Sequence, residues 1–230
     1  MNVDEYDYLF EDSKTLLTGP ELEFFERYGQ ALHREAGHRF IEQDEKTDFM
    51  LLIRKGHVIV WNPALRRIQA IRGEGEVVGE TAAIAGMPRS ATIEALDSVE
   101  VLRLSGRRYR QFLGEHPRAA ISLLRAVYER LSEADQQAAD SSELAAEQRL
   151  AKTFVRLIES GFAKPSARGL VVKLSQDGIR AFNGGSLASV KKIIRTFKEH
   201  GIVATSRQAT IILDPGALRE IAKGDRTALD

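Results

Sequence analysis

From Arg118 to Ala146 the chain runs 29 residues without a glycine or a proline. An unbroken helix of that length is about 40 Å long. That exceeds the width of a small domain, so the helix overhangs whatever it packs against. Ile121, Leu124, Tyr128 and Leu131 recur along it at helical spacing, and small Ala134 and Ala138 continue the seam. Such a helix buries its seam most readily against a second copy of itself, in a twofold dimer. The alternative is a core helix lying along its own domain. The stretch from Asp135 to Ser142 is too polar for a strong coiled coil.

The helix separates two textures. Ahead of it, Thr18–Glu35 has a helical pattern, with Pro20 in the first turn and Leu22, Phe25 and Tyr28 at helical spacing. Short apolar or β-branched runs follow at Phe49–Ile53, His57–Trp61, Ile68–Ile71, Ala91–Ala95 and Val99–Leu104. Turn residues such as Lys55-Gly56 and Asn62-Pro63 cut them, a rhythm that predicts a compact β sandwich or roll. Ser105 is positioned to cap a short helix through Phe112, and His116-Pro117 punctuates it. After the long helix, the sequence predicts a helix over Glu147–Ser160 and a strand at Leu170–Leu174. A short helix from Ser175, the turn Asn183-Gly184-Gly185 and a helix over Ser186–His200 come next. Ile202–Thr205 and Thr210–Leu213 then form a hairpin, and helix, turn, helix and hairpin make a winged helix. The fold class is α+β. Residues 1–117 form the β-roll domain, 118–146 the dimerisation helix and 147–230 the winged helix-turn-helix.

Composition narrows the chemistry. The 230 residues include no cysteine, which excludes disulfides, thiolate zinc sites and Cys nucleophiles. The five histidines have no metal-ligand spacing, and no G-x-S-x-G elbow places a Ser–His–Asp set. Neither a catalytic residue nor a metal site is expected, and a metal-dependent β-roll enzyme lacks its ligands. No apolar run approaches the ~20 residues of a membrane span. The acidic, aromatic start (MNVDEYDYLFE) is unlike a signal peptide, so the cytoplasm is the expected location. Asp4–Asp12 reads as a tail or docking segment. Lys/Arg and Asp/Glu balance at 33 each, yet residues 1–148 carry a net −8 and residues 149–230 a net +8. A basic last third is what an electrostatic nucleic-acid footprint looks like.

Two constellations carry chemistry. In Val78–Thr92 (VGETAAIAGMPRSAT), Gly79 permits a backbone closed to other residues, and Glu80–Ile84 can form one helical turn. Arg89 supplies a fork of donors for phosphate and Ser90 a hydroxyl. Glu80 is an acceptor suited to a ribose hydroxyl. In the basic third, Ser186 is a natural N-cap, and Val190, Ile193, Ile194 and Phe197 form the inward stripe of a helix. Lys191, Lys192, Arg195 and Lys198 place positive charge elsewhere on it.

The first stretch resembles the phosphate-binding cassette of cyclic-nucleotide-binding domains, G-E-x(8)-R-[SA]-A. With the strand–Gly–strand around Gly56, the long helix and the winged helix, residues 15–220 resemble the Crp/Fnr family of bacterial transcription regulators. The resemblance implies a homodimer that binds double-stranded DNA, works with RNA polymerase and needs no cofactor. Its allosteric ligand would be a cyclic nucleotide such as cAMP, held by Gly79, Glu80, Thr81, Arg89 and Ser90. Asp135 falls where cAMP-responsive members present a hydroxyl to adenine, and Ala134 replaces the preceding Thr, so the base is left unassigned. The DNA-contacting set carried over is Ser175, Gln176, Ser186, Leu187, Ala188, Ser189, Lys191, Lys192 and Arg195. Leu187 and Ala188 replace the family's usual Arg and Glu. Apolar side chains there can meet only a thymine methyl. Arg180 stands where a small residue is usual, and Asn183 where an apolar one is. The competing expectation is a nucleotide-sensing or interaction module with a degenerate pocket or helix-turn-helix, acting without ligand gating or sequence reading.

Overall fold

The computed structural model describes residue 17 and residues 19–228; the acidic start Asp4–Asp12 and the expected helix start at Thr18 lie outside them. The elements run α1 (Gly19–Tyr28), β1 (Gln30–Arg34), β2 (Arg39–Ile41), β3 (Phe49–Lys55), β4 (Val58–Asn62), β5 (Arg67–Arg72), β6 (Val77–Val78), α2 (Glu80–Ala85), β7 (Thr92–Ala95) and β8 (Val99–Ser105). Then come α3 (Gly106–Glu115), α4 (Pro117–Glu143), α5 (Ala146–Glu159), β9 (Lys164–Ser166), β10 (Gly169–Val172), α6 (Gln176–Asn183), α7 (Leu187–Glu199), β11 (Val203–Ser206), β12 (Ala209–Ile212) and α8 (Pro215–Lys223). By their contacts they fall into two compact units. One comprises residues up to Leu65 with Ala70–Ala134; the other comprises Arg66–Gln69 and everything from Asp135.

In the first unit one sheet has the order β1-β8-β3-β6 and a second β2-β7-β4-β5. Strand β3 explains the architecture. Phe49, Leu51 and Ile53 point into a core shared with Val58, Ile93 and Val101. Met50 and Leu52 point the other way, into a core with Phe24, Phe25, Tyr109 and Phe112. Successive side chains alternate faces, so the unbroken run FMLLI is what a strand covered on both sides requires.

The helix expected over Thr18–Glu35 stops at Tyr28, and Gln30–Arg34 is instead a strand paired antiparallel with Arg103–Val99. Gly29 forces the change. A Cβ there would lie 2.5 Å from Phe25 O and 3.3 Å from Leu102 Cβ, so the chain turns where only glycine fits.

In the second unit the sheet order is β11-β12-β10-β9. Leu150, Phe154, Ile179, Val190, Ile194 and Phe197 are buried around it. The strand at Leu170 ends at Val172 rather than Leu174. The serine caps expected at Ser105 and Ser186 form, and Ser175 caps the short helix expected to start from it. Ser105, Ser175 and Ser186 accept from the N–H groups of Arg108, Gly178 and Ser189 and open α3, α6 and α7. Among the described residues no helix is long and apolar enough to cross a membrane.

Candidate functional site

The cassette is assembled around α2. Gly79 closes β6 at φ +77°. A Cβ at this position would approach Ile41 Cδ1 to 2.8 Å and Arg89 Nη1 to 3.0 Å. Conformation and space both require glycine here. Glu80 opens α2 and is buried. Its Oε1 accepts from Arg130 Nη1 at 2.6 Å, and Arg130 Nη2 donates to Val77 O at 2.8 Å. Thr81 Oγ1 also donates to Glu80, at 3.4 Å. Beneath lies Tyr109, whose phenol is pushed well above its ordinary value by burial and then by the Glu80 carboxylate, with Arg130 opposing.

Arg89 is only 2% exposed. Its Nε donates to Thr47 Oγ1 at 3.0 Å, Nη1 to Gly79 O at 2.8 Å and Nη2 to Phe49 O at 2.6 Å. The guanidinium lies 4.6 Å from the Phe49 ring centroid. Burial pushes its pKa down, while the charges of Glu45, Asp48 and Glu80 hold it up. The guanidinium thus grips protein oxygens from within. For a phosphate to recruit it, the contacts to Gly79 and Phe49 must loosen. Thr81 and Ser90 are exposed beside it, and Asp135 is exposed on α4 in the second unit. Arg130, Thr47 and Tyr109 belong to this network, and no local pattern around them marks them as members. An arginine beside an apolar seam reads as a solvated face until its reach to Glu80 is seen.

The joint between α4 and α5 is fastened by one carboxylate. Asp140 is buried and accepts from Lys152 Nζ at 2.7 Å, Arg156 Nη2 at 3.1 Å and Gln136 Nε2 at 3.0 Å. Burial raises its pKa, but the hydrogen bonds from Lys152 and Gln136 and the two cations outweigh that and hold it below the usual range. Replacing Asp140 by Asn should cost about 1–2 kcal/mol at pH 7, less than a fully buried pair because both cations are partly solvated. The folded carboxyl titrates below its unfolded value of ~3.9. Its contribution is therefore complete above that value and disappears as the pH falls through the folded one. Denaturant melts of wild type and Asp140→Asn should differ at pH 7 and converge in acid.

The basic unit presents α7. Val190, Ile194 and Phe197 are buried, whereas Ala188, Lys191, Lys192, Arg195 and Lys198 are exposed. Leu187 and Ser189 are half-buried at its first turn. Ser175 and Ser186 hold the N-termini of α6 and α7, and half-buried Gln176 starts α6. Arg180 fits because it turns along its own helix, donating from Nε to Asp177 Oδ1 at 2.7 Å. Asn183 fits less well, since its Oδ1 is buried without a hydrogen-bond partner. The outward stripe of α7 offers one methyl group and four cations, so its contacts are weighted toward phosphate.

A β-roll with an acid–arginine cassette, a long helix and a helix-turn-helix with a wing define a two-module regulator, a roll of the nucleotide-binding type and a DNA-binding helix-turn-helix. Comparison with known proteins agrees. The cyclic nucleotide-binding domain family matches residues 32–116, and the Crp-like helix-turn-helix domain family matches residues 148–221. The cAMP-activated global transcriptional regulator CRP of Salmonella typhimurium is 23% identical over 199 residues, covering 85% of this chain and 95% of that protein. The cyclic AMP receptor protein of Thermus thermophilus is 25% identical over 191 residues, covering 82% and 86%. The solved structure of the c-di-GMP responsive global regulator CLP of Xanthomonas campestris shares the fold. Its TM-score is 0.74 at 16% identity, over 85% of this chain and 99% of that one. The chain belongs to the Crp/Fnr family of transcription regulators, and these relatives are regulators rather than enzymes.

Proposed function

We propose that the chain acts as a homodimer on double-stranded DNA and that an anionic nucleotide, cAMP or another cyclic nucleotide, controls it from the β-roll. One observation carries this reading: a single helix serves both the cassette and the seam. Arg130 of α4 holds Glu80 of the cassette. Leu124, Tyr128 and Leu131 of α4 are exposed with spacings of four and three residues, as in a two-helix seam. A ligand that competes for Glu80 frees Arg130 and alters the helix that joins the two copies. Control requires the ligand to bind the DNA-competent arrangement more tightly than the other. The dimer would then set two copies of α7 on half-sites about 34 Å apart, one turn of DNA. RNA polymerase is the partner this reading implies, and the cytoplasm its location.

Arg89 favours a second reading. A guanidinium with three internal acceptors suits a regulator whose roll stays closed and whose activity follows its abundance. Selection of genomic fragments by the purified full chain distinguishes the two. It is run alone and with cAMP, cGMP or cyclic di-GMP, followed by gel-shift titration and calorimetry. At least tenfold tighter DNA binding with one nucleotide supports control by ligand. Equal DNA binding in all arms without binding heat supports the closed roll, and failure to select any fragment overturns DNA reading altogether.

A further inference from the structure

We propose that Asp135 is a charge gate in the seam between two copies of α4, its carboxylate opposing closure of the seam's far end until the charge is removed. The gate rests on the dimer proposed above and names how that dimer is regulated. The two faces of α4 fix its position. Ala119, Ser122 and Leu123 are buried against the roll, and Arg130 reaches from the same side to Glu80. Ile121, Leu124, Tyr128, Leu131, Asp135 and Ala138 follow one another at alternating spacings of three and four, the a and d places of a heptad. Those from Leu124 onward are all exposed in the single chain. Asp135 shares its heptad place with Ile121 and Tyr128. Two copies of α7 on successive half-sites of one DNA face lie at the same end of the dimer, so the two copies of α4 run parallel. In a parallel pair a residue at this place faces its own counterpart. Asp135 therefore meets the same carboxylate of the second copy.

Neighbouring charges on α4 are answered within the chain, and this one is not. Glu133 pairs with Arg72 at 3.3 Å, and Asp140 with Lys152 at 2.7 Å and Arg156 at 3.1 Å. No described residue bonds the Asp135 carboxylate. The places that flank it along the seam hold Ser132, Ala134 and Ala139, so neither copy offers it a cation. Two unit charges about 6 Å apart, at an effective dielectric of about 20 to 80, repel enough to weaken association about 3- to 100-fold. A polar residue at one core place already lowers the stability of a two-helix seam. An unanswered carboxylate goes further, because its cost follows its charge and hence pH and salt. Asp135 is also the first α4 residue of the second unit, so the gate sits where the seam passes from the roll to the DNA-binding unit.

Sedimentation equilibrium of the full chain without ligand tests the gate. At about pH 7.5 and low salt, Asp135→Asn should dimerise at least about tenfold more tightly than wild type, with an unchanged melt because the position is exposed. Glu129→Gln removes the same charge from an exposed place of α4 outside the seam and should stay within about twofold of wild type. The gap between wild type and Asp135→Asn should shrink as the pH falls to about 5, where protons discharge the wild-type pair. It should shrink likewise in about 1 M salt, where screening leaves a range of about 3 Å. Both chains carry the same histidines, so the ratio at each pH reports Asp135 alone. Equal dimer constants for wild type and Asp135→Asn overturn the gate, as does an equal gain from Glu129→Gln. A gap that persists unchanged at low pH and high salt overturns its electrostatic basis. Wild type and both variants staying monomeric at every concentration would overturn the dimer itself, an outcome distinct from dimers that do not differ.

Discussion

Replacing Arg89 by Ala is expected to lower the stability of the β-roll by about 3 kcal/mol or more, a Tm fall of roughly 10 °C. The structure supplies the reason. Thr47 Oγ1, Gly79 O and Phe49 O all accept from this guanidinium, and the side chain is almost wholly enclosed. Truncation removes the guanidinium donor from the buried Phe49 O and the part-buried Thr47 Oγ1 and Gly79 O, the last of which keeps the Ala83 N–H at 3.4 Å, and it opens a cavity where the side chain lay. Leaving a buried acceptor unpaired costs about 1–3 kcal/mol, part of which relaxation recovers. From the sequence alone, the same substitution is expected to remove ligand binding and leave the fold intact. Both effects should now appear together, so calorimetric loss of binding cannot by itself assign Arg89 to a ligand. Arg89→Lys separates them. A single ammonium retains the charge but cannot span three acceptors, so the melt should fall between wild type and Ala. Ser90→Ala, at an exposed position beside Arg89, should leave the melt unchanged while weakening any phosphate contact. A melt of Arg89→Ala within 1 °C of wild type would mean that the internal contacts contribute nothing and that the arginine is free to face a ligand.

The features legible in the sequence are those set by local chemistry. Serine caps at Ser105, Ser175 and Ser186 need only a hydroxyl before a helical run, and each forms. The alternation within FMLLI, and its burial on both faces, follows from the pleat. Gly79 and the turn of α2 were legible because a left-handed backbone before a helix leaves few choices. What was not legible depends on partners distant in sequence. At Gly29 a Cβ would collide with Phe25 O of the preceding turn at 2.5 Å and press on Leu102 Cβ, 73 positions on, at 3.3 Å, and only the second of these contacts is distant in sequence. Glu80 finds Arg130 after 50 residues, and Arg89 finds Phe49 O 40 residues back. The cassette's residue types could be read as a pocket, but the engagement of its two charges with protein groups could not. Asp140 is the same case in the second unit. It sits in a polar stretch that reads as solvated, yet it is buried between two cations supplied by the next helix.

Placing a glutamate at Leu131 or Leu124 is expected to split the proposed dimer and reduce DNA affinity by about 100-fold or more. Leu124, Tyr128 and Leu131 are 69, 70 and 60% exposed in the isolated chain, whereas Ala119 and Leu123 on the other side of α4 are buried in the roll. The helix therefore has one satisfied face and one that no described residue of the protomer covers. The positions 124, 128 and 131 follow the heptad spacing of a two-helix seam. The next place in that pattern is Asp135, so the seam weakens just where the chain passes to the second unit. Burying a leucine contributes about 1.5–3 kcal/mol, and twofold symmetry counts each substitution twice. The loss is then about 3–6 kcal/mol, which raises the dimer dissociation constant about 10²- to 10⁴-fold. A monomer engages one half-site and forfeits the gain from linking two. The monomer's own melt should shift by no more than about 0.5 kcal/mol, because surface positions tolerate charge. Light scattering on Leu131→Glu therefore reads association apart from folding: half the wild-type mass with an unchanged melt supports the seam. A Leu131→Glu dimer, or a wild-type chain that is monomeric at tens of micromolar, would leave the exposed stripe without the partner assigned to it and return the long helix to its other expectation, a core helix of a single chain.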